Sequence, residues 1–195
     1  MRLVRRGACV GVDLFVDKLR FAATAVPGAR FAAADATALP FRDGSLRTVF
    51  VRDLLHHVTE PARVLGEAVR VLAPGGRLCL LEPNGENPIV RLHARLVPAE
   101  AGARASGVER LRALLRDLPV GRVSVWTLQP VPLRRTLLHY RFGLPALGRI
   151  RVTRRALALL ERLVGSLLPS SRWTYAAAMA ERASGPASPG GSGSL

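Results

Sequence analysis

Short apolar runs alternate with amphipathic stretches through the first half of the chain. Ala8–Val12 is a brief apolar run closed by Asp13, which predicts a strand. Phe15–Ala25 follows with Leu19, Ala22 and Ala23 on one side, the spacing of a helix. Pro27-Gly28 marks a turn, and Arg30–Ala34 is a second strand closed by Asp35. Asp43-Gly44 signals another turn before the β-branched run Thr48–Val51. Pro61 then opens a helix whose apolar face is Val64, Leu65, Ala68, Val69 and Leu72. Pro74-Gly75-Gly76 stops that helix, and Arg77–Leu81 is a fourth strand. Strands this short and apolar, separated by helices, predict a mostly parallel sheet covered on both faces, an α/β doubly wound fold.

Beyond residue 90 the pattern changes. Val108–Leu118 reads as a helix, Arg122–Leu128 as a strand and Trp173–Ala180 as a last strand. Between them, residues 134–168 are basic and leucine-rich, a helical insertion within about 130–170. Thr153 is the expected cap of a helix with Leu157, Leu160, Leu163, Val164 and Leu167 as its stripe. The expected domain runs over 1–183, and the Gly/Ser/Pro-rich residues 184–195 read as a disordered tail.

Composition narrows the picture. The chain has 195 residues, is 49% hydrophobic and only 5% aromatic, so its core rests on Leu, Val and Ala. No apolar run approaches the roughly 18 residues of a membrane span. Arg2, Arg5 and Arg6 precede apolar residues as in a secretory leader, but Asp13 interrupts the run and no clean cleavage site follows. Cys9 and Cys79, the only cysteines, fall in predicted strands and read as reduced core thiols of a cytoplasmic protein. The net charge of +15 is uneven: residues 1–90 hold 12 Lys/Arg against 9 Asp/Glu, and residues 91–195 hold 17 against 5. Basic charge gathered in one half points to an anionic membrane surface or nucleic acid, or to an arginine-rich compositional bias. Nucleic acid is the poorest fit, because interleaved aromatics and a recognisable binding motif are missing.

Asp13, Asp35 and the Arg52-Asp53 pair each close a predicted strand. Ligands of open parallel sheets bind beyond the carboxyl ends of the strands, so these residues outline a nucleoside site. Singly, each aspartate also reads as a loop cap.

The motifs carry a more specific likeness. Gly11-Val12-Asp13-Leu14, then Asp35-Ala36-Thr37-Ala38-Leu39-Pro40-Phe41 with Asp43-Gly44-Ser45, then Leu55-His56-His57-Val58, and finally residues 65–78 with Glu82-Pro83 stand in one order and spacing. Together they resemble the class I S-adenosylmethionine-dependent methyltransferases, in the group often called type 11. The resemblance covers about residues 3–83. It implies a Rossmann-like sheet and S-adenosylmethionine as cofactor. It further implies that Asp13 binds the ribose hydroxyls, Leu14 flanks the adenine, and Asp35 and Ala36 meet the adenine edge. The Arg52 backbone would approach the methionine moiety, and His56 and His57 would lie near methyl transfer. One histidine would be a general base, or both would be structural helix-entry residues. The basic, leucine-rich segment 130–170, where this family inserts substrate-covering elements, points to a small or lipid-like acceptor, and residues 134–168 read either as a lid helix on the sheet or as a peripheral membrane contact. No metal-ligating set is expected, and oligomeric state is left open. A competing reading is a non-catalytic methyltransferase remnant acting as a binding or membrane-surface module.

Two departures from the family pattern stand out. Leu46-Arg47 replaces a Phe-Asp pair, which predicts weakened hydrogen bonding at that strand's entry. Leu3–Ala8 resembles the end of the family's first helix, so the first strand and glycine-rich loop are expected upstream of Met1, as in an N-terminally truncated domain. Two consequences are expected: weak cofactor binding, and a gap of about 10 Å in the sheet.

Overall fold

A computed structural model describes residues 9–26, 28–129, 146–147 and 150–184. The alternating first half folds as β1 (Val10–Asp13), α1 (Val16–Ala25), β2 (Arg30–Ala33), β3 (Leu46–Arg52), α2 (Pro61–Val71) and β4 (Leu72–Pro83). Then come α3 (Pro88–Leu96), a 3₁₀ segment (Pro98–Ala105), α4 (Val108–Arg116), β5 (Val120–Leu128), α5 (Arg151–Leu167), a 3₁₀ turn (Ser170–Arg172) and β6 (Tyr175–Arg182). The expected tail, from 185 on, and most of the expected insertion before residue 150 lie outside the described residues.

Two ladders form. β1 and β2 pair in parallel, with Asp13 opposite Ala33. The second sheet has the order β3-β4-β6-β5, with β3 parallel to β4 and β6 antiparallel to both its neighbours. Among the described residues no ladder joins β1 to β3, so each has one strand neighbour and one open edge. At the entry of β3 the register jumps: Leu46 faces Leu72 while Thr48 already faces Arg77. The irregularity falls at Arg47, where weakened pairing is expected.

The core lies on the larger sheet. Val64, Leu65, Ala68 and Val69 of α2 and Leu111 and Leu115 of α4 pack with Val51, Leu72, Leu78, Leu80 and the alanines 176, 178 and 180 of β6. Alanine-rich β6 is central because small side chains let helix and sheet approach closely. By contrast α1 has no buried residue, and Phe21 on it is 75% exposed.

Four expectations are corrected. The Pro74-Gly75-Gly76 segment does not end before its strand. It lies within the long β4, with Gly75 at φ +72°. Cys9 is exposed just ahead of β1 and Cys79 is half-buried, because β1 packs on little and the Cys79 face of β4 is only partly covered. Thr153 does not cap α5. The helix begins at Arg151 after Ile150, and Thr153 sits half-buried within its first turn. The stripe is also rotated. Thr153, Leu157, Glu161, Val164 and Gly165 face inward, whereas Leu160, Leu163 and Leu167 are exposed. Helical periodicity fixes a stripe's spacing but not which of two adjacent stripes meets the body of the protein.

Candidate functional site

β1 and β2 run parallel and in register, so Asp13 and Asp35 leave the same edge of their sheet. Asp13 Oδ1 accepts the Phe15 backbone N–H at 2.9 Å. Asp35 Oδ1 accepts both the N–H and the hydroxyl of Thr37, each at 2.8 Å. Each carboxylate therefore caps its own loop, and the loop fixes the direction it points. The bonds from Thr37 hold the exposed Asp35 carboxyl below the ordinary aspartate pKa, so it stays an anion. Leu14 beside Asp13 is 62% exposed, an apolar surface next to an acceptor. Ala36 is half-buried against the core.

The loop after β2 is anchored from α2. Glu67 accepts the Leu39 N–H at 2.9 Å, and Arg70 donates to the carbonyls of Leu39 and Phe41 and to the carboxylates of Glu67 and Asp43. The bond from Arg70 lowers the Glu67 pKa and keeps that anchor charged. At the end of β3, Arg52 Nε donates to Asp53 at 3.1 Å. Asp53 takes φ +48° as its N–H reaches the Leu81 carbonyl.

A second cluster gathers where β3 and β4 end. Glu82 is 1% exposed and accepts the backbone N–H groups of Leu54, Leu55 and His56 and the Nδ1–H of His56 at 2.7 Å. One carboxylate thus organises the whole turn leaving β3. The His56 side chain is 2% exposed, and its Nε2 lies 3.4 Å from Glu100. Burial disfavours its charged form, but the Glu82 hydrogen bond and the charges of Glu82, Glu100 and Asp53 prevail and raise its pKa. His57 is exposed, with Nδ1 3.0 Å from the Ala99 carbonyl and its ring 3.9 Å from that of His56. Gly102 lets the 98–105 segment press on this turn, because a Cβ there would stand 2.0 Å from the His56 carbonyl oxygen.

Beside the cluster is a cavity of about 170 Å³ walled by His56, Glu82, Thr59, Ser106, Arg110 and Leu111. Asp13, Asp35 and Arg52 do not line it. The structure thus separates the predicted residues: Asp13 and Asp35 on the small sheet, and on the large one Arg52 at the end of β3 and His56 at the cavity with His57 beside it.

Sequence reasoning missed Glu82's role, Glu100, and the buried pair Asn84 and Asn87. Asn84 Nδ2 donates to the carbonyls of Ser171 and Trp173, and Asn87 Nδ2 to that of Arg172. Asn87 also caps α3 through the N–H groups of Ile89 and Val90. The pair pins the end of β4 to the segment entering β6. The Asn87-Pro88 dipeptide is the one local signal of this region, a cap followed by proline at the first helical position.

With this geometry in place, comparison with known proteins is specific. Residues 1–80 match the family described as a methyltransferase domain. The demethylmenaquinone methyltransferase of Renibacterium salmoninarum is 40% identical over 73 residues, 37% of this chain and 31% of that protein. The 27-O-demethylrifamycin SV methyltransferase of Amycolatopsis mediterranei is 39% identical over 82 residues, 42% of this chain and 26% of that protein. The chain thus spans less than a third of these curated relatives. Among solved structures, a SAM-dependent methyltransferase from Thermotoga maritima aligns with TM-score 0.61 at 18% identity, over 89% of this chain and 72% of its own. The phosphoethanolamine N-methyltransferase 2 of Haemonchus contortus, solved with S-adenosyl-L-methionine, aligns with TM-score 0.59 at 16% identity, over 89% and 43%. The fold is that of the class I, S-adenosylmethionine-dependent methyltransferases. Residues 1–80, which carry the motifs, are similar to the methyltransferase domain family.

Proposed function

We propose that this chain serves S-adenosylmethionine-dependent methyl transfer to a small-molecule acceptor. The observation that carries the reading is the placement of Asp13 and Asp35 at one sheet edge, in a segment matched to a methyltransferase domain. The donor set fits a nucleoside: two oriented carboxylates that only accept hydrogen bonds, beside the exposed Leu14. In this reading Asp13 takes the ribose hydroxyls, Leu14 flanks the adenine, and Asp35 and the Ala36 N–H meet its edge. The Arg52 backbone borders the methionine end. The cofactor supplies an electrophilic methyl group, and the chain's part is to hold donor and acceptor in line. His56 and His57 border the acceptor's place, His57 being the exposed one.

The test is NMR titration of the labelled chain with S-adenosylhomocysteine, a method that registers weak binding. Amide shifts at Leu14 and Ala36 are expected, and Asp13→Ala and Asp35→Ala should each weaken them at least tenfold. Shifts confined to other residues, or unchanged by both substitutions, would overturn the nucleoside assignment.

For the acceptor we infer a lipid-like molecule reached from a membrane surface. Quinone and rifamycin methyltransferases are among the relatives matched, and α5 exposes Val152, Leu159, Leu160, Leu163 and Leu167 beside Arg154, Arg155 and Arg162. No described helix is long and apolar enough to cross a membrane, so the contact would be peripheral.

A further inference from the structure

The cluster at the end of β3 has the composition of a ligand set. His56, His57 and Glu100 each place one donor atom within 4.8 Å of the others. Glu100 reaches the adjacent histidines only through the fold, so no metal-ligating set is expected from the sequence.

We propose that His56, His57 and Glu100 bind a single divalent transition-metal ion of the zinc class, with Glu82 orienting His56. Four observations converge. First, His56 Nε2 and Glu100 Oε2 are 3.4 Å apart, the edge of a tetrahedron whose bonds are about 2.0–2.2 Å. The exposed His57 ring completes the set, with its donor atom within 4.8 Å of the other two. Second, Glu82 takes the Nδ1–H of His56 at 2.7 Å, which leaves the lone pair on Nε2. A carboxylate behind a ligating imidazole is the usual partner that fixes its tautomer and orientation. Third, His56 Nε2 is buried and makes no hydrogen bond. An imidazolium bridging two glutamates would donate from that nitrogen, yet the contact to Glu100 lacks a donor's alignment. Fourth, Gly102 brings the 98–105 segment onto the His56 backbone, which carries Glu100 to the histidines.

Two imidazoles and one carboxylate favour zinc over magnesium or calcium, which prefer oxygen donors throughout. Three protein ligands leave a fourth position, the pattern of a catalytic site. His56 and Glu82 line the cavity, so that position would be filled by water or by an acceptor's oxygen. Only this last extension rests on the methyl-transfer reading. Metal binding does not, so the two fail separately.

The experiment titrates the tag-free chain with zinc chloride by calorimetry and with cobalt(II) by visible absorption. One equivalent of either metal is expected, and cobalt should give the intense ligand-field bands of a four-coordinate site. His57→Ala and Glu100→Gln, both at partly or fully exposed positions, should each weaken binding at least tenfold. Glu82→Gln should weaken it about 10- to 100-fold. His93→Ala, on exposed α3, should leave it unchanged. Absence of a stoichiometric site, or affinity untouched by His57→Ala and Glu100→Gln, would overturn the proposal. So would a loss as large in His93→Ala, which would mark adventitious histidine binding. Neither metal titration requires methyl-transfer activity.

Discussion

Glu82 shows how much of the site hangs on one side chain. It is the acceptor for three consecutive amides and for an imidazole, all at the point where β3 gives way to the turn. Removing it leaves those buried donors unmatched, each at about 1–3 kcal/mol before relaxation. Glu82→Ala should therefore destabilise the fold by about 3 kcal/mol or more, read as a lowered urea midpoint at unchanged slope. The aspartates differ in kind. Asp13 and Asp35 are legible from the sequence because each follows directly on an apolar strand. The position alone tells where the side chain emerges. Glu82 also ends a strand, but its partners lie more than twenty residues away and nothing local announces them. Glu100 sits in an Ala/Gly/Pro stretch without periodicity, so its approach to His56 exists only in the folded chain.

At the level of elements, α2, β3 and β4 are readable because apolar spacing and burial coincide. α5 is half readable. Its spacing predicts a helix, but two neighbouring apolar stripes satisfy the same period, and the one turned inward is set by packing. The outward stripe, with Leu167 at 83% exposure, leaves leucines beside arginines on the surface. Membrane attraction of about 1 kcal/mol per basic residue near an anionic surface would add to the burial of those leucines. In flotation assays the chain should rise with anionic vesicles at low salt and be largely released at high salt. Leu163→Glu with Leu167→Glu should abolish flotation without unfolding, because neither side chain is buried. Equal flotation with neutral vesicles would exclude the electrostatic contribution. The region from α3 through the 3₁₀ segment is the least readable, being short, alanine-rich and held by Asn84 and Asn87 rather than by an apolar face.

For the molecule as a whole, stability and the proposed cofactor recognition sit on different sheets. The large sheet carries the buried leucines and alanines, while the small β1–α1–β2 unit carries Asp13 and Asp35, the carboxylates proposed to take the nucleoside, with no buried residue on its helix. Open strand edges bound both. On β3, whose outer edge is open among the described residues, Phe50 is 55% accessible within a β-branched run without proline. Such an edge predicts self-association through β3 as concentration rises. Light scattering should show particle size growing with concentration well below the unfolding temperature, and Phe50→Lys should raise the onset several-fold. A size independent of concentration would mean that the edge is already covered. If the growth is seen, a strand that supplies the core with Val51 is also an adhesive surface, and colloid chemistry governs how much usable protein a purification can hold.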